Sequence, residues 1–507
     1  MLFSVLILAC FCFPTFCARA FFKSSSAFCQ VAFSLLSVLN HSLTERENAV
    51  SRAIDFTQGS IQKNLLAFAF PLFLGNLFQQ LYNAADSLIV GNWLGSEALA
   101  AVSSSSPLIN MMVGFFNGLA IGAGVVISRA FGARDYKALD RAIHTDLAFS
   151  AAAGIVMTVL GSLFTPTILG WMQTPEDIMP NSIAYFRVYC LGIIFSLLYN
   201  TCMGIMNALG DSRHPLYYLI ISSLTNVILD IIFVAGFGLG TGSAALATII
   251  SQALSVILSL KRLFRGQEGL YKVELRKIRF HMGSLKEILR FGLPSGVQNS
   301  VIGFANIVVQ TNINSFASSA VAGSGAYSKI EGFAFLPVTC FSLALTTCIG
   351  QNLGAMNYDS ARKSAVFGVF CSITLAELIG LGVFAFAPHL ISMFNSEPEV
   401  VAFGVRQCRV EAFFYCFLAL SHCIAGILRG AGKAVIPMII MFGVWCVLRV
   451  TYLTVVLHFW HNIIIVYTAY PLTWTLSSLL FIVYMFKADW LHGLEEKKAR
   501  RHFLYRA

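Results

Sequence analysis

Apolar runs of 20 or more residues recur along almost the whole chain, and polar positions fall either between them or in thin stripes inside them. From Asn64 onward twelve such stretches stand out, near residues 64–92, 99–128, 142–165, 183–207, 215–237, 243–263, 287–315, 321–350, 364–388, 403–428, 435–458 and 463–486. A helix rising about 1.5 Å per residue crosses about 30 Å of hydrocarbon in that length, whereas barrel strands would show alternating segments of about 10 residues. The pattern predicts an all-α polytopic membrane protein with twelve transmembrane helices.

The first stretch, Pro71 to Gly95, carries the most telling polar stripe. At 3.6 residues per turn Gly75, Gln79, Tyr82, Asn83 and Asp86 share one face, while Leu72, Phe73, Leu77, Leu81, Leu88 and Ile89 cover much of the rest. An acid in the hydrocarbon region costs several kcal/mol, so Asp86 is expected at a helix contact or a water-filled cavity and is a candidate functional group. Gln79 and Asn83 extend the stripe as candidate cavity residues. In the fifth stretch Asn226 and Asp230 are four apart and share a face with Ser222 or Ser223, forming a second polar stripe that can meet the first.

The chain repeats itself. Phe131-Gly132-Ala133 and Tyr136 match Leu353-Gly354-Ala355 and Tyr358 at a shift of 222 (354 − 132), and Arg187-Val188 and Gly210…Pro215 match Arg409-Val410 and Gly432…Pro437 at the same shift. Pro71 pairs with Pro294 at 223 (294 − 71). Duplication of a six-span unit gives two lobes of the same orientation, related by a pseudo-two-fold axis along the membrane normal, with a central cavity between them. The expected division is an N-terminal extension (1–54), a first lobe (55–263), a linker (264–286), a second lobe (287–488) and a basic tail (489–507). The acids break the symmetry: Asp86 maps onto Val309, and Asp230 onto Tyr452.

Composition agrees with a membrane protein, at 57% hydrophobic and 11% charged residues against about 25% charged in soluble domains. The net charge of +10 would suggest nucleic acid, but its placement argues otherwise. Lys and Arg gather before the first span (Arg46, Arg52, Lys63), after the second (Arg129, Arg134, Lys137, Arg141), between Lys261 and Arg290, and in the tail (Lys497 to Arg506), whereas the loops after odd-numbered spans carry almost none. The positive-inside rule then makes both ends of the bundle cytoplasmic. The linker reads as a tether lying against anionic headgroups, and the segment from Ile54 to the first span as a short amphipathic lead at the same face. The apolar run before Ala18-Arg19-Ala20 resembles a leader but lacks a preceding basic residue, and is expected to be a non-functional leader or an over-extended start. Thirteen cysteines, never spaced CxxC, read as small apolar residues.

Other charges within the spans carry less information. Arg187 and Arg409 sit near span ends where long side chains reach water, and Glu411 is placed in the same outer region. Glu377, Asp146 and Arg449 have no evident partner, while Lys329 and Glu331 form a polar patch facing the second-lobe cavity. His458 and His461 read as an external aromatic belt rather than a metal pair. GAGKAV lacks the spacing and the Ser or Thr of a phosphate-binding loop, which argues against ATP-driven transport by this chain, and no HExxH-type cluster supports an intramembrane enzyme.

Several segments, LYNAADSLIVGNWLGSEALAAV, FGARDYKALDRA, NALGDSRHP, TNVILDIIFVAGFGLGTGSAALATIISQ and GQNLGAMNYDSARKS, resemble the multidrug and toxic compound extrusion (MATE) transporters, over about residues 55 to 490 and with a bacterial DinF-like character. The resemblance implies a twelve-helix antiporter that exports organic, often cationic, compounds in exchange for H+ or Na+. It makes Asp86 the coupling carboxylate with Tyr82 one turn before it, and assigns Asn226, Asp230 and Thr248 to a first-lobe cation network. The acid that some branches carry in the seventh helix is missing from FGLPSGVQNSVIGFANIVVQTNINSF, which favours the first-lobe site. The expected partners are small cationic or amphipathic compounds and the lipid bilayer, without nucleic acid, ATP or a bound cofactor. A single chain in a bacterial cytoplasmic membrane is the expected working unit. The rival reading, a flippase for a lipid-linked precursor, calls for several basic cavity residues, and the first and seventh spans hold none.

Overall fold

The computed structural model describes residues 53–492 apart from 173 and 267–270. The N-terminal extension up to 52 and the tail from 493 lie outside the described residues. Twelve helical spans follow one another: α1 (Ile61–Trp93), α2 (Ser96–Gly132), α3 (Tyr136–Trp171), α4 (Met179–Leu191 continued by Ile193–Ala208), α5 (Arg213–Asp230), α6 (Gly242–Arg265), α7 (Met282–Ile313), α8 (Ser318–Gly354), α9 (Tyr358–Ser392), α10 (Pro398–Gly430), α11 (Val435–Phe459) and α12 (Ile463–Lys487). α4 bends by 48° at Gly192. Every span expected from the apolar pattern is present. All but α7 pass as membrane-crossing by length and apolarity, with α4 taken as one bent span. α7 is as long but more polar, and its amides are spent on neighbours. Gln298 Nε2 donates to Met441 Sδ at 2.9 Å, Asn299 Nδ2 to the Gly114 carbonyl at 3.0 Å, and Asn306 Oδ1 accepts from Arg449 at 3.3 Å.

The internal repeat extends to backbone detail. Among the described residues, the two non-glycine residues with positive φ are Arg134 (53°) and Met356 (58°), 222 apart (356 − 134). Each is followed by an N-cap: Asp135 accepts from Ala138 N at 3.0 Å, and Asn357 from Ser360 N at 3.2 Å. Gly210 (φ +86°) and Gly432 (φ +67°) turn the chain at matching places after α4 and α10. A left-handed residue and a capping side chain stop one helix and start the next within a few residues.

The lobes trade parts of their first helices. Leu65, Phe68 and Leu72 of α1 are buried in a core with Leu345, Ile349, Leu428 and Phe481 of the second half, whereas Ile89 and Val90 further along α1 pack with Phe186 and Tyr189 of the first. α7 does the reverse. Its Ile288 and Phe291 lie in a first-half core with Ile127, Ile143 and Ile205, and its Val309 and Ile313 pack with Leu453 and Val466 of the second. Pro294 stands between the two sections of α7, and Pro71 within the first section of α1, where each removes a backbone hydrogen bond. The cores are therefore shared at the end where α1 begins and α2 finishes, and separate at the other.

Small residues make that shared end close-fitting. A Cβ added to Gly122 would lie 2.2 Å from Gly292 Cα, and one on Gly118 2.4 Å from Gly296 N, so α2 and α7 cross backbone to backbone. Both helices carry the G-x-x-x-G spacing that permits such contact in a membrane. The lead before α1 differs from the expected amphipathic surface segment: Ile54 N donates to Gly210 O (2.9 Å), Phe56 N to Gln351 Oε1 (3.0 Å), and the Phe56 ring is buried against Phe68. Gln351 also donates to Ala208 O at 2.9 Å, tying the lead, α4 and α8 together. The described part of the linker is strapped to α3, with Glu274 N donating to His144 Nε2 (3.1 Å) and His281 N to Thr145 Oγ1 (3.3 Å).

Candidate functional site

The polar stripe of α1 meets that of α5 inside the first lobe. Gly75 of α1 faces Leu219 and Leu216 of α5, whose side chains lie 3.5 and 3.8 Å from the place a Cβ would take. Three turns further on, the carboxyl groups of Asp86 and Asp230 stand near enough to act on each other electrostatically. Two carboxylates have no hydrogen to donate, so a direct bond between them forms only when one of them is protonated. Asp230 and Asn226 are fully buried, while Asp86 and Tyr82 are half-buried.

The oxygens around this pair are acceptors without protein donors. Asp86 Oδ1, both oxygens of Asp230, and Asn226 Oδ1 are enclosed and unbonded. Asn226 uses its other end, donating from Nδ2 to Thr248 Oγ1 of α6 at 3.4 Å, and Thr248 donates in turn to the Ala244 carbonyl at 3.1 Å. Ser222, one turn before Asn226, bonds Ser251 O at 2.9 Å and fastens α5 to α6. A set of carboxylate and amide oxygens lacking donors suits a proton or a hard monovalent cation. α5 changes to a π turn, Ile231–Gly236, immediately after Asp230; such turns are frequent at functional positions.

Tyr185 and Tyr189 of α4, which the sequence reading passed over, complete the surroundings. Both are buried, Tyr185 feels both carboxylates electrostatically, and Tyr189 stands beside Tyr82. Their spacing of four within YFRVY was the available signal for a shared face. Gln79 and Asn83 share α1 with this site but are exposed, at another edge of the helix from Tyr82 and Asp86. Glu331 lies in the second lobe, half-buried on α8, apart from the exposed Lys329.

Several charges sit differently from expectation. Glu411 does not share its surroundings with Arg409. It is fully buried, accepting from Tyr327 OH (3.2 Å) and Gln407 Nε2 (2.9 Å), while Arg409 reaches over the Phe384 ring. The fourfold turn of α10 brings Gln407 under Glu411 and turns Arg409 away. Glu377 does have a partner: it accepts from Cys416 N at 3.1 Å, where the short 3-10 stretch Ala412–Phe414 frees backbone donors in α10. Arg449 is fully buried, as is Asp146 nearly so, the latter with Oδ2 unbonded. His461 stacks on Phe316 with ring centres 4.4 Å apart, and His458 packs on Phe459.

The model of the family MatE matches the chain twice, at residues 71–232 and 294–455, with starts 223 apart (294 − 71) as in the internal repeat. The probable multidrug resistance protein YpnP of Bacillus subtilis (strain 168) is 29% identical over 75% of this chain and 85% of its own length. The multidrug export protein MepA of Staphylococcus aureus (strain MRSA252) is 22% identical over 77% of this chain and 86% of its own. Among solved structures, an outward-facing conformation of a multidrug resistance MATE family transporter superposes with a TM-score of 0.80 at 22% identity, covering 86% of this chain and 97% of that one. A MATE crystal structure in a bent conformation reaches 0.81 at 22% identity, covering 89% and 100%. Duplicated six-helix halves, an acid pair between α1 and α5, and two matches of one family model place this chain in the MatE family of membrane transporters.

Proposed function

We propose that this protein is a secondary-active multidrug efflux antiporter, working by alternating access and coupled to H+ or Na+ at Asp86 and Asp230. The observation that carries the reading is the enclosed acid pair, whose oxygens lack protein donors on a helix shared by both lobes. Gain or loss of a cation there changes the contact between α1 and α5. Because the first part of α1 is packed in the second lobe's core, a change at Asp86 is felt across the cleft. Tyr82, one turn before Asp86, and Asn226, bonded to Thr248, belong to the same cation network, and Gln79 and Asn83 face cargo from the exposed edge of α1.

The named relatives support small organic cargo, and cationic or amphipathic compounds suit a cleft bordered by acids and aromatic rings. The basic residues Arg129, Arg134, Lys137, Arg262 and Arg290 cluster at the end where the cores are shared, which the positive-inside rule assigns to the cytoplasm of a bacterial cell. In that orientation the lobes share their cores on the inside and have separate cores toward the outside, which suits a release state. One charge moving through 100 mV supplies about 2.3 kcal/mol, enough for a cargo gradient of about fifty-fold.

The deciding experiment is ethidium transport by proteoliposomes under separately imposed pH and Na+ gradients. Wild-type protein is expected to respond to one of them, and Asp86→Asn to insert normally and respond to neither. Undiminished gradient-driven transport by Asp86→Asn would remove the coupling assignment.

A further inference from the structure

At the shared-core end the two halves of the chain meet around a local two-fold. Ser128 of α2 and Gly350 of α8 are repeat counterparts (350 − 128 = 222), and Ser128 Oγ borders the place a Cβ on Gly350 would take. Gly132 stands against Gln351 O and Gly354 against Arg129 O, two contacts exchanged by the same shift (354 − 132 = 222 and 351 − 129 = 222). On either side of this axis one side chain crosses between the halves. Arg129 donates to the carbonyl of Gly430 at the end of α10, and its counterpart Gln351 donates to the carbonyl of Ala208 at the end of α4. The two carbonyls are themselves counterparts (430 − 208 = 222).

The two crossings are built from different parts. Glutamine is shorter than arginine and carries an acceptor as well as donors. With Nε2 on Ala208 O (2.9 Å), Gln351 offers Oε1 to the N–H of Phe56 (3.0 Å), and the neighbouring Asn352 donates from Nδ2 to Phe56 O (3.3 Å). The lead so held reaches on to α4, where Ile54 N donates to Gly210 O (2.9 Å) and Ile54 O borders the place a Cβ on Gly210 would take. At the other crossing a guanidinium occupies the corresponding places. Arg129 borders the Cβ place of Gly432, the counterpart of Gly210, and lies over the Phe291 ring (5.3 Å). Phe291 is the counterpart of Phe68 (291 − 68 = 223), the ring that packs on Phe56 with centres 5.3 Å apart.

The chemistry of the two side chains accounts for the difference. A guanidinium only donates, so it cannot accept a backbone N–H. The repeat counterpart of the lead, around Arg279 (279 − 56 = 223), runs along α3 instead, with Glu274 N on His144 Nε2 and His281 N on Thr145 Oγ1. Gln351 and Phe56 are buried, so their bonds are made out of water, where an unmade one is costly. Phe56 belongs to the core of the second lobe with Leu345 and Leu428. When the lobes part at this end the lead therefore stays with the second lobe, and the bonds that break are those to Ala208 and Gly210 of α4.

We propose that Ile54, Phe56 and Gln351 together do for α4 what Arg129 does for α10: they are positioning residues of a second latch that holds the lobes shut at the shared-core end. The polypeptide before α1 is thereby a working part of the transport cycle, and Gln351 is the residue that recruits it. The local two-fold places both latches on one moving interface, so they release together. The role in the cycle rests on the alternating-access reading, whereas the latch itself does not.

The test is the rate at which N-ethylmaleimide labels a Ser128→Cys thiol in proteoliposomes, resolved from the native cysteines by peptide mass spectrometry. Phe56→Ala and Gln351→Met, each added to Ser128→Cys, are expected to raise the rate about tenfold. Gln351→Arg added to Phe56→Ala is expected to return it to within about twofold of Ser128→Cys alone, since the new guanidinium can bond Ala208 O and lie on Phe68 without the lead. A ring that merely fills a core would not be replaced by an arginine, so acceleration without rescue would overturn the proposal, as would unchanged rates in Phe56→Ala and Gln351→Met. Where Phe56→Ala does not survive purification, Gln351→Met decides, and an unchanged rate overturns the proposal. Ethidium efflux is measured on the same vesicles. The expected labelling pattern without gradient-driven efflux by wild-type protein would overturn the antiport reading and keep the latch, while normal efflux with uniformly slow labelling would overturn the latch alone.

Discussion

Arg129 near the end of α2 donates from both Nε and Nη2 to the carbonyl oxygen of Gly430 at the end of α10, at 3.2 and 3.0 Å. The bond crosses from one half of the chain to the other. It caps a helix end whose last carbonyls have no partner in the helix, and Gly432 at φ +67° turns the chain beside the guanidinium, where a Cβ would lie 2.5 Å from it. The ring of Phe291 covers the guanidinium, 5.3 Å from Cζ to its centre. On the alternating-access reading proposed above, this latch breaks in every cycle.

Hydrogen bonds from a charged donor are each worth about 1.5–3 kcal/mol. Arg129→Gln is therefore expected to raise the population open at this end by about tenfold or more. Ser128, buried beside Gly350, reports on it: a Ser128→Cys thiol in the Arg129→Gln background should react with maleimide markedly faster than the same thiol beside Arg129, above the native cysteine background. Equal rates would show that the latch does not hold the seam.

The α2–α7 crossing gives a stability prediction. Gly122→Val places carbon within 2.2 Å of the Gly292 backbone, which cannot yield as a flexible side chain would. Loss of folded protein in detergent is expected, or a loss of at least about 3 kcal/mol by thermal melting. Gly170, near the end of α3, has nothing within 4 Å of an added Cβ, so Gly170→Ala should be neutral or stabilising by up to about 1 kcal/mol.

The spans and the repeat were legible because each rests on a local requirement. A bilayer demands about 20 apolar residues wherever a helix crosses it, and the turn after α2 needs the same left-handed residue and cap as the turn after α8, at Arg134-Asp135 and Met356-Asn357. Helical period was also enough to put Tyr82 with Asp86 and Asn226 with Asp230. Period does not say which core an apolar face enters, so Leu65 and Phe68 gave no hint that they belong with Leu345 and Leu428 of the other half. The cluster of Glu331, Glu411 and Arg449, which act on one another electrostatically, was invisible for a related reason. Its members come from α8, α10 and α11, and only the packing register between helices brings them near each other.

That cluster predicts strong non-additivity. Arg449→Met leaves Glu411 and Glu331 without their counter-ion in dry surroundings, and breaking one side of a buried charge group costs about 3–5 kcal/mol. Glu411→Gln leaves Arg449 with Glu331 and keeps a side chain able to bond Tyr327, so its cost should be smaller. In the double variant the unpaired charge is removed with its partner. Thermal melting should recover at least about 1 kcal/mol relative to the sum of the single losses. Strict additivity would mean that Arg449 does not compensate Glu411.

Substitutions at Asp230 test whether a proton is shared with Asp86 or two acids alone suffice. Asparagine at 230 keeps the shape and supplies an N–H that can donate to the Asp86 carboxylate, imitating the protonated pair permanently. Alanine removes the partner, opens a cavity in a fully buried place and leaves Asp86 without any group to bond. Asp230→Asn is expected to melt at or above the wild-type temperature, and Asp230→Ala below it by the equivalent of about 1–3 kcal/mol. Both should lose gradient-driven ethidium efflux, because neither can exchange a cation between the two side chains. A destabilised Asp230→Asn would show that the native pair holds no shared hydrogen, while normal efflux in that variant would mean that Asp86 couples alone.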